Sequence, residues 1–399
     1  MQIIVQKYGG SSVADVTKIK KIAEMIAEVH RQDFAVVAVV SAMGKTTNSL
    51  IELAHQISQT PPHREMDMLL STGERITMSL LCIALEELGL NAISLTGSQA
   101  GIITNDRHND ARVIEVRPFR IQDELEKGKV VVVGGFQGVS YKRDITTLGR
   151  GGSDTSAVAL AAALDAERCE IYSDVDGVYS TDPAIVREAK HLPEISYQQM
   201  QEMSFAGAKV LNAQAVQFAK EANIAIYARS AFQSGRETIV RKLAPGVSKG
   251  ITAVVYESDL VRIQIKADTD RFDWLMNYFK EKQIALKELN FSATHENELQ
   301  TNASFLISYK NVYGWLNVEE ELKKNLHEVI TFDYSLGALS LIGEGLNTDN
   351  NTLHETLRFL QENQIKIFGI TTTAFRISLL IPKEELTNGV QLLHKHWIS

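Results

Sequence analysis

A glycine-rich stretch places an arginine and an aspartate in front of an apolar run. The segment "TTLGRGGSDTSAVALAAALDA", residues 146–166, holds Arg150 and Asp154 four residues apart. Glycines ahead of a helix let an anion approach the backbone amides and the positive helix end. The Arg150 guanidinium is a planar fork that suits a carboxylate. Asp154 is either a first-turn acid that favours the helix dipole or a group that takes part in chemistry.

A second candidate site follows the first apolar run of the chain. Lys7, Tyr8, Gly9, Gly10 and Ser11 combine a positive charge with a pair of glycines. Glycine amides and a lysine ammonium can cradle a phosphate where the chain leads into a helix. The alternative is an ordinary Gly-Gly turn beside a solvated lysine. The residue types therefore allow a phosphate site without requiring one.

Two further segments carry polar residues next to apolar runs. Ser41 and Thr47 lie in "SAMGKTT", where their hydroxyls could line a site or cap the next helix. Glu74 lies in "STGERITMSLL", within an otherwise apolar helical pattern. An acid at such a position is either exposed by a turn of the helix or held for a cationic partner.

These residue types fit the transfer of a phosphoryl group to a carboxylate. Enzymes of this kind mainly position their substrates and neutralise charge. A carboxylate acceptor, with a pKa of about 4, is already ionised at neutral pH and needs no general base. The remaining difficulty is to bring one anion up to another, and lysines, helix N-termini and Mg²⁺ overcome it.

Three common motifs are excluded by their spacing. "SAMGKTTN" contains Gly-Lys-Thr, but a P-loop needs a glycine five positions before Gly44, where Val39 stands. "GRGGSD" has Asp154 where the dinucleotide fingerprint has its third glycine. The ten histidines are scattered, so we expect no zinc site and no metal site built from protein ligands.

The first 230 residues alternate between strand-like and helical patterns, which predicts an α/β domain with a mainly parallel sheet covered on both faces. Active sites of such folds gather at the carboxyl ends of the strands. The expected strands are continuously apolar, β-branched runs, and the expected helices have an apolar face. The strands are 2–8, 34–42, 92–97, 129–136, 169–175 and 224–230, and the helices are 16–31, 64–88, 153–166 and 207–222.

The pattern changes after the Pro/Gly linker 243–250, and two smaller βαββα units follow. We expect a catalytic domain at 1–245, a first module at 260–332 and a second at 333–399, the last completed by a strand at 250–257. The first unit comprises strand 261–267, helix 271–282, strands 284–291 and 303–309, and helix 316–325. The second comprises strand 338–345, helix 351–362, strands 365–373 and 375–381, and helix 383–396.

Composition excludes several classes of protein. The chain has 399 residues, 44% hydrophobic, with a net charge of -8 and no long basic run, which argues against nucleic acid or an anionic membrane as the main partner. Cys82 and Cys169 lie among apolar residues, and we expect buried free thiols in a reducing compartment. We expect no signal peptide and no apolar run long enough to span a bilayer.

Seven ordered segments of the first 240 residues resemble the signatures of aspartate kinases in the amino acid kinase superfamily. They are "KYGGSSVA", "VVSAMGKTTN", "STGE", "GGFQG", "TTLGRGGSDTSA", "SDVDGVYSTDP" and "GAKVLNAQAV". The tail resembles, more weakly, the paired ACT modules of these enzymes. The details of the sequence are most similar to the aspartokinases of Gram-positive bacteria. The resemblance implies a three-layer αβα kinase domain followed by two α+β ACT-like modules.

The resemblance also implies the reaction ATP + L-aspartate → 4-phospho-L-aspartate + ADP, with Mg²⁺ held mainly by phosphates and water. Lys7 would stabilise the phosphate in flight, and Asp154 would organise the lysines and the substrate. Arg150 would clamp the α-carboxylate of aspartate, and Glu74 would take its α-ammonium. The same pocket would be lined by Ser41, Thr47, Phe136, Gly151, Gly152 and Ser153. The nucleotide would be held by Lys7, Tyr8, Gly9, Gly10, Ser11, Ser173, Asp174, Tyr179, Asp182 and Lys209.

The sequence departs from the family pattern in three places. Asn212 and Ala213 stand where the family often has His-Pro, and Ala184 stands where an arginine often follows "TTDP". "KADTDRF" replaces the usual Pro-Gly effector turn of the first module. We expect the first two departures to affect nucleotide affinity and the third to affect sensitivity to an effector.

Two alternatives remain open from the sequence: a kinase for glutamate or N-acetylglutamate, and an amino-acid sensor without catalysis. Glu74 favours a free ammonium, and retention of Lys7 and Asp154 favours catalysis. The resemblance further implies a cytoplasmic homodimer or higher oligomer. Its effector would be lysine, threonine or the diaminopimelate precursor, bound near 290–294 or 343–350.

Overall fold

The computed structural model describes residues 1–149, 151–233, 235–243, 250–294, 300–312, 314–348 and 350–398. They form two compact units. The first consists of Met1–Tyr179, Lys190–Phe205 and Lys209–Val247, and the second of Ser180–Ala189, Ala206–Ala208 and Ser248–Ser399. Two short segments that precede position 245 therefore group with the tail, so the first unit is not one continuous stretch of chain. The limits 260–332 and 333–399 for separate modules stay predictions.

The first unit is built on an eight-stranded sheet in the order β12-β14-β13-β9-β1-β2-β6-β3. Neighbouring strands are parallel except for the pair β13 and β14. These strands are β1 (Gln2–Tyr8), β2 (Phe34–Val40), β3 (Ala92–Leu95), β6 (Val130–Gly134), β9 (Arg168–Ser173), β12 (Glu194–Ser196), β13 (Ile226–Ser230) and β14 (Glu237–Arg241).

The first unit has seven helices among its described residues, and some of them cover each face of this sheet. They are α1 (Val16–Arg31), α2 (Thr46–Ile57), α3 (His63–Glu87), α4 (Phe119–Glu126), α5 (Gly152–Ala163), α6 (Tyr197–Phe205) and α7 (Ala213–Ala222). Val36, Ala38 and Val40 of β2 join the buried cluster formed with α1 and α3. Val37 and Val39 point the other way and are also fully buried. Burial on both faces explains why this strand is continuously apolar.

A small four-stranded sheet lies beside the large one in the first unit. Its order is β5-β4-β7-β8, and it was not predicted, because its strands are only three or four residues long. The strands are β4 (Ile102–Thr104), β5 (Val113–Val116), β7 (Gln137–Ser140) and β8 (Ile145–Thr147). A two-stranded ribbon of β10 (Val178–Tyr179) and β11 (His191–Leu192) completes this unit. The last strand of the small sheet, β8, leads directly into the glycine-rich stretch.

The second unit contains two four-stranded antiparallel sheets, each with two helices, as the two α+β modules predict. The first sheet has the order β17-β18-β16-β19, with α8 and α9, and the second has the order β15-β20-β22-β21, with α10 and α11. The elements are β15 (Gly250–Glu257), β16 (Leu260–Asp268), α8 (Thr269–Lys282), β17 (Lys287–Thr294), β18 (Gln300–Ser308), α9 (Trp315–Leu326), β19 (Ile330–Asp333), β20 (Leu336–Glu344), α10 (Asn351–Glu362), β21 (Gly369–Thr372), β22 (Arg376–Pro382) and α11 (Leu386–Trp397), with 3₁₀ turns at Tyr309–Asn311 and Lys383–Glu385.

Most predicted elements lie within a few residues of their observed bounds, but one helix was wrong. The pattern at 207–222 predicted a single helix, whereas α7 begins only at Ala213 because the Asn212 side chain caps it. Gly207, with a φ of 113°, lies in the turn that precedes it. A backbone with this φ is not helical, and it is one that glycine adopts readily, so the chain is not helical at this position between α6 and α7. Helices α2, α4 and α6 and strands β12, β14 and β19 were missed.

Helix α3 is the one helix of the described residues that is long and apolar enough to cross a membrane. The expectation of no such run was therefore wrong as a statement about composition. In the first unit, however, α3 buries Asp67, Glu74, Met78 and Leu81 on one face. Two buried acids on an apolar helix are typical of a core helix that also serves a polar site.

Candidate active site

The carboxyl ends of four parallel strands are tied together by backbone hydrogen bonds. The Gly9 amide donates to the Tyr172 carbonyl at 3.1 Å, and the Ser41 amide donates to the Tyr8 carbonyl at 3.1 Å. The Gly135 amide donates to the Val40 carbonyl at 2.9 Å. The ends of β1, β2, β6 and β9 therefore form one continuous edge, which is where α/β folds place their sites.

Lys7 and Asp154 meet at this edge. The ammonium of Lys7 lies 2.6 Å from a carboxylate oxygen of Asp154, and the two side chains are 12% and 10% exposed. Asp154 lies in the first turn of α5, whose N-cap is Gly151, and the carboxylate turns to Lys7 rather than to a free helix amide. An ion pair that is nearly removed from water holds a strong local field. Asp154 is therefore more than a helix cap.

Glu74 is buried next to the loop that follows β2. Its side chain is only 2% exposed, and one carboxylate oxygen accepts a 3.0 Å hydrogen bond from the Ala42 amide. The other carboxylate oxygen, Oε2, is buried and has no hydrogen-bond partner among the described residues. Burial raises the pKa of Glu74 from 4.5 to about 7. A half-satisfied buried carboxylate of this kind is suited to a cationic ligand group.

We expect Glu74→Gln to stabilise the free protein at alkaline pH while weakening the binding of an ammonium substrate. Because the folded pKa is raised, stability is lost as pH rises from about 4.5 to about 7 and stays low above it. The neutral amide keeps the bond from Ala42 and removes this loss, which is on the order of 3 kcal/mol. Melting temperatures of variant and parent from pH 5 to 8 measure the effect.

The melting-temperature gain of Glu74→Gln should grow with pH across that range, and Glu52→Gln on the exposed face of α2 should show no such trend. A gain that is the same at pH 5 and pH 8 would contradict the burial of an ionisable carboxyl at this position.

Close backbone packing shapes the loops around this edge. A Cβ on Gly10 would lie 2.9 Å from the Ala42 carbonyl, and the Gly44 amide donates to the Gly10 carbonyl at 3.0 Å. A Cβ on Gly135 would lie 3.0 Å from the Ser153 hydroxyl. The loops after β1 and β2 therefore contact each other directly, and Ser153 approaches the end of β6 because Gly135 has no side chain.

Phe136 adopts a backbone conformation that is rare for a residue with a side chain. Its φ is 66°, and its amide donates to the Ser156 hydroxyl at 3.1 Å. The Leu148 amide in turn donates to the Phe136 carbonyl at 2.8 Å. Such a conformation persists where the surroundings fix it, and it is common at binding sites. It brings Phe136 against the backbone of Gly152, at the start of α5.

The remaining predicted substrate residues lie around the same edge, with one exception. Ser41 is half-buried directly after β2, and Thr47 is half-buried in the first turn of α2. Thr47 does not cap α2, since the N-cap is Lys45 without a side-chain bond. Arg150 lies outside the described residues.

The predicted nucleotide residues are only partly brought together. Ser173 ends β9, its hydroxyl accepts from the Val175 amide, and Asp174 next to it is exposed. The Tyr179 hydroxyl donates to Asp176 at 2.7 Å. Lys209 is exposed in the segment after α6. Asp182 belongs to the second unit, where its carboxylate accepts from the Ala184 amide at 2.9 Å.

Comparison with known proteins identifies the family. Residues 2–230 match the model of the amino acid kinase family. An aspartokinase of Mycolicibacterium smegmatis is 41% identical over 405 aligned residues, covering 99% of this chain and 96% of the relative. The chain belongs to the aspartokinases of the amino acid kinase family. Aspartokinase 2 of Bacillus subtilis is 38% identical and covers 99% of this chain, in keeping with the predicted Gram-positive resemblance.

Solved aspartokinase structures agree with the fold. The Escherichia coli aspartokinase III in complex with aspartate and ADP covers all of this chain with a TM-score of 0.84 at 23% identity. The aspartate kinase from Synechocystis is 33% identical and covers 99% of this chain and 69% of that one, with a TM-score of 0.57. The predicted fold class, a three-layer αβα kinase domain followed by two α+β modules, is confirmed.

Two departures from the aspartokinase pattern have a structural role of their own. Asn212 caps α7 by accepting from the Gln214 amide at 2.8 Å, and its side chain packs against Gly151. In "KADTDRF", Asp268 caps α8 by accepting from the Arg271 amide at 2.8 Å. Both replacements therefore supply an N-cap, which typically contributes about 1 kcal/mol.

Sequence reasoning missed Gly135 and Ala42 as parts of this aspartokinase site. The Gly-Gly pair directly after an apolar strand was an available signal for Gly135, since glycines there often allow a close approach. The Ala42 amide carries no such signal, because any residue has a backbone N–H and only the fold aims it at Glu74.

Proposed function

We propose that this aspartokinase transfers the γ-phosphoryl group of ATP to the β-carboxylate of L-aspartate, the first step of the aspartate family of amino acid biosynthesis. The observation that carries the proposal is the 2.6 Å ion pair of Lys7 and Asp154 at the strand edge. Transfer between two anions depends on charge neutralisation more than on covalent help from the protein. A lysine held by an aspartate with a largely buried side chain supplies that neutralisation.

The acceptor oxygen needs no proton removed from it. The β-carboxylate of aspartate is ionised at neutral pH and attacks the γ-phosphorus directly. The O–P bond to the β-phosphate breaks as the new bond forms, and ADP leaves with the electron pair. Lys7 stabilises the charge on the equatorial oxygens, and Asp154 holds the Lys7 ammonium at the point of transfer.

Charge chemistry gives each pole of aspartate a separate partner. The buried carboxylate of Glu74 takes the α-ammonium, and Arg150 takes the α-carboxylate with its planar fork. The hydroxyls and backbone around them complete the pocket. These residues are Ser41, Thr47, Phe136, Gly151, Gly152 and Ser153.

The nucleotide lies along the loops after β1 and β9. The glycine amides and the Lys7 ammonium suit its phosphates. Mg²⁺ binds mainly through phosphate oxygens and water, as it does at most nucleotide sites, and the exposed Asp174 is a carboxylate at the same edge. The other proposed contacts within the first unit are Tyr8, Gly9, Gly10, Ser11, Ser173, Tyr179 and Lys209. The contact of Asp182 stays a prediction from the family resemblance.

A substrate comparison tests this function against its alternatives. The purified protein is assayed at fixed Mg-ATP with aspartate, glutamate and N-acetylglutamate, by ADP formation and by hydroxylamine trapping of the acyl phosphate. We expect turnover with aspartate at least ~100-fold above N-acetylglutamate, which has no α-ammonium for Glu74, and at least ~10-fold above glutamate, whose extra methylene displaces the acceptor carboxylate. Turnover of N-acetylglutamate would contradict the role of Glu74, and no turnover at all would favour an amino-acid sensor.

We also propose a cytoplasmic homodimer with an amino-acid effector on the second unit. Edge strand β17 exposes Leu289 and Phe291, at 46% and 55%, and an apolar sheet edge is commonly covered by a second copy. An Escherichia coli aspartokinase III has been solved in complex with lysine and aspartate. Titration of the intact enzyme with lysine, threonine and diaminopimelate, followed by activity and melting temperature, tests the effector, and sedimentation tests the dimer.

A further inference from the structure

Asp67 is a fully buried carboxylate for which the proposed chemistry has no use. It lies on α3, seven residues before Glu74, and is 0% exposed. Its oxygens accept three hydrogen bonds: from the Thr147 hydroxyl at 2.6 Å, the His108 Nδ1 at 2.7 Å and the Asn109 amide at 3.0 Å. A buried charge is costly unless it is bonded in this way. The three bonds therefore explain how Asp67 is tolerated, but not why an acid is there.

The partners of Asp67 lie on the chain that leads into Arg150. Thr147 ends β8, three residues before Arg150. The loop with His108 and Asn109 runs beside it, since the Ala111 amide donates to the Thr147 carbonyl at 2.8 Å. Gly149 is in contact with the same loop, because a Cβ on it would lie 2.7 Å from a carboxylate oxygen of Asp110. Asp67 thus fixes both the strand end and the loop that flanks it.

A second bond holds the same strand end from the small sheet. The hydroxyls of Thr104 and Thr146 are 2.6 Å apart, and both side chains are fully buried. Thr146 and Thr147 are therefore anchored in two directions, to β4 and to α3. The segment that follows begins its path to α5 from a fixed point.

Helix α3 carries both Asp67, which holds the end of β8, and Glu74, which is proposed to bind the α-ammonium of the substrate. Asp67 and Glu74 are separated by seven residues, which places them on one face of the helix about 10 Å apart along its axis. Both are buried on that face. A single rigid element thus holds Glu74 and also holds the strand end that precedes Arg150.

We propose that Asp67, with His108 and Thr147, is a positioning group that fixes the end of β8, where the glycine-rich stretch begins, relative to Glu74. This inference rests on the proposed roles of Glu74 and Arg150 in binding the α-ammonium and α-carboxylate of aspartate. It assigns selectivity for a free α-amino acid to a buried network that does not touch the substrate. Apolar side chains in this place would also stabilise the fold. Hydrogen bonds have a preferred direction, however, so the network fixes the register and direction of the strand end more closely.

Removal of the Thr147 hydroxyl tests the inference. Thr147→Val keeps the shape of the side chain and removes its bond to Asp67. We expect the aspartate KM to rise ~10-fold or more, since small displacements of binding groups are costly, while the ATP KM changes less than about twofold. Thr147→Ser restores the hydroxyl and should restore the aspartate KM. A matched control is Thr356→Val on α10, which removes a buried 2.7 Å bond to the Thr352 carbonyl.

His108→Asn provides a second variant, and combining it with Thr147→Val completes a double-mutant cycle. Because both partners act through Asp67, the double variant should raise the aspartate KM by less than the product of the single effects. A lower melting temperature with unchanged KM values in all three variants would overturn the inference and leave the network a purely structural one.

Arg150→Lys separates this inference from the proposed function. If Arg150→Lys raises the aspartate KM and Thr147→Val does not, the positioning role is overturned while the proposed function stands. If neither variant changes the aspartate KM, the assignment of Arg150 to the substrate is overturned, and the positioning role with it.

Discussion

Replacement of Asp154 by asparagine is expected to lower kcat at least ~100-fold while the protein stays folded. Loss of a preorganised electrostatic group that acts at the transferring phosphate has an effect of this size. Asparagine keeps the shape of the side chain and can still face the start of α5, but it no longer holds the Lys7 ammonium through an ion pair at 2.6 Å. Steady-state kinetics and a thermal melt of the same preparation measure both quantities.

A capping aspartate elsewhere in the chain is the matched control. Asp268 caps α8 through a 2.8 Å bond from the Arg271 amide, and asparagine caps helices about as well as aspartate. Asp268→Asn should therefore keep nearly full kcat. If Asp154→Asn behaves in the same way, Asp154 is also no more than a first-turn residue of α5.

Replacement of Arg150 by lysine is expected to raise the aspartate KM at least ~10-fold with little change in the ATP KM. Lysine keeps the charge but loses the two parallel N–H donors that match a carboxylate, and hydrogen bonds to charged groups contribute about 1.5–3 kcal/mol. Initial rates over a grid of aspartate and ATP concentrations separate the two constants.

Arg358→Lys is the control for this change, because it replaces an exposed arginine of α10 that pairs with Glu362 on the same helix. It should leave both KM values unaltered. An unchanged aspartate KM in Arg150→Lys would remove Arg150 from the substrate site, and a rise in the ATP KM alone would move it to the nucleotide.

The α/β character of the first unit could be predicted because the physical signal is local. Strand β2 is apolar at every position since both of its faces are buried, and α1 shows an apolar stripe because one face packs on the sheet. The small sheet could not be predicted in this way. Strands β4 and β8 have three residues each, and β4 joins the sheet by pairing with β7, where Ile103 lies opposite Val139 from a distant part of the chain.

The positions of Lys7 and Asp154 as candidate site residues could also be predicted from local sequence. Lys7 lies near the carboxyl end of a largely apolar strand, and Asp154 lies in the first turn of an apolar helix, so each chemical group is close to the end of a recognisable element. The fold then brings them within 2.6 Å. Their meeting was not a property of either segment, and only the resemblance to a family indicated that both serve one reaction.

The roles of Asp67 and of the Ala42 amide could not be predicted from the sequence. Asp67 is the fifth residue of α3, just beyond its first turn, and nothing in the local sequence indicates that its side chain is fully buried. Its partners Thr147 and His108 are eighty and forty-one residues away along the chain. Roles that arise from long-range contacts appear only once the packing is known.

A double-mutant cycle on Lys7 and Asp154 tests the central claim most directly. Single-turnover rates are measured at saturating Mg-ATP and aspartate for Lys7→Met, Asp154→Asn and the double variant. If the ion pair works as one unit, each single variant loses most of the rate, and the double variant is about as slow as the slower single one, as groups that act together are strongly non-additive. Losses that multiply in the double variant would contradict the account, because Lys7 and Asp154 would then contribute independently to catalysis.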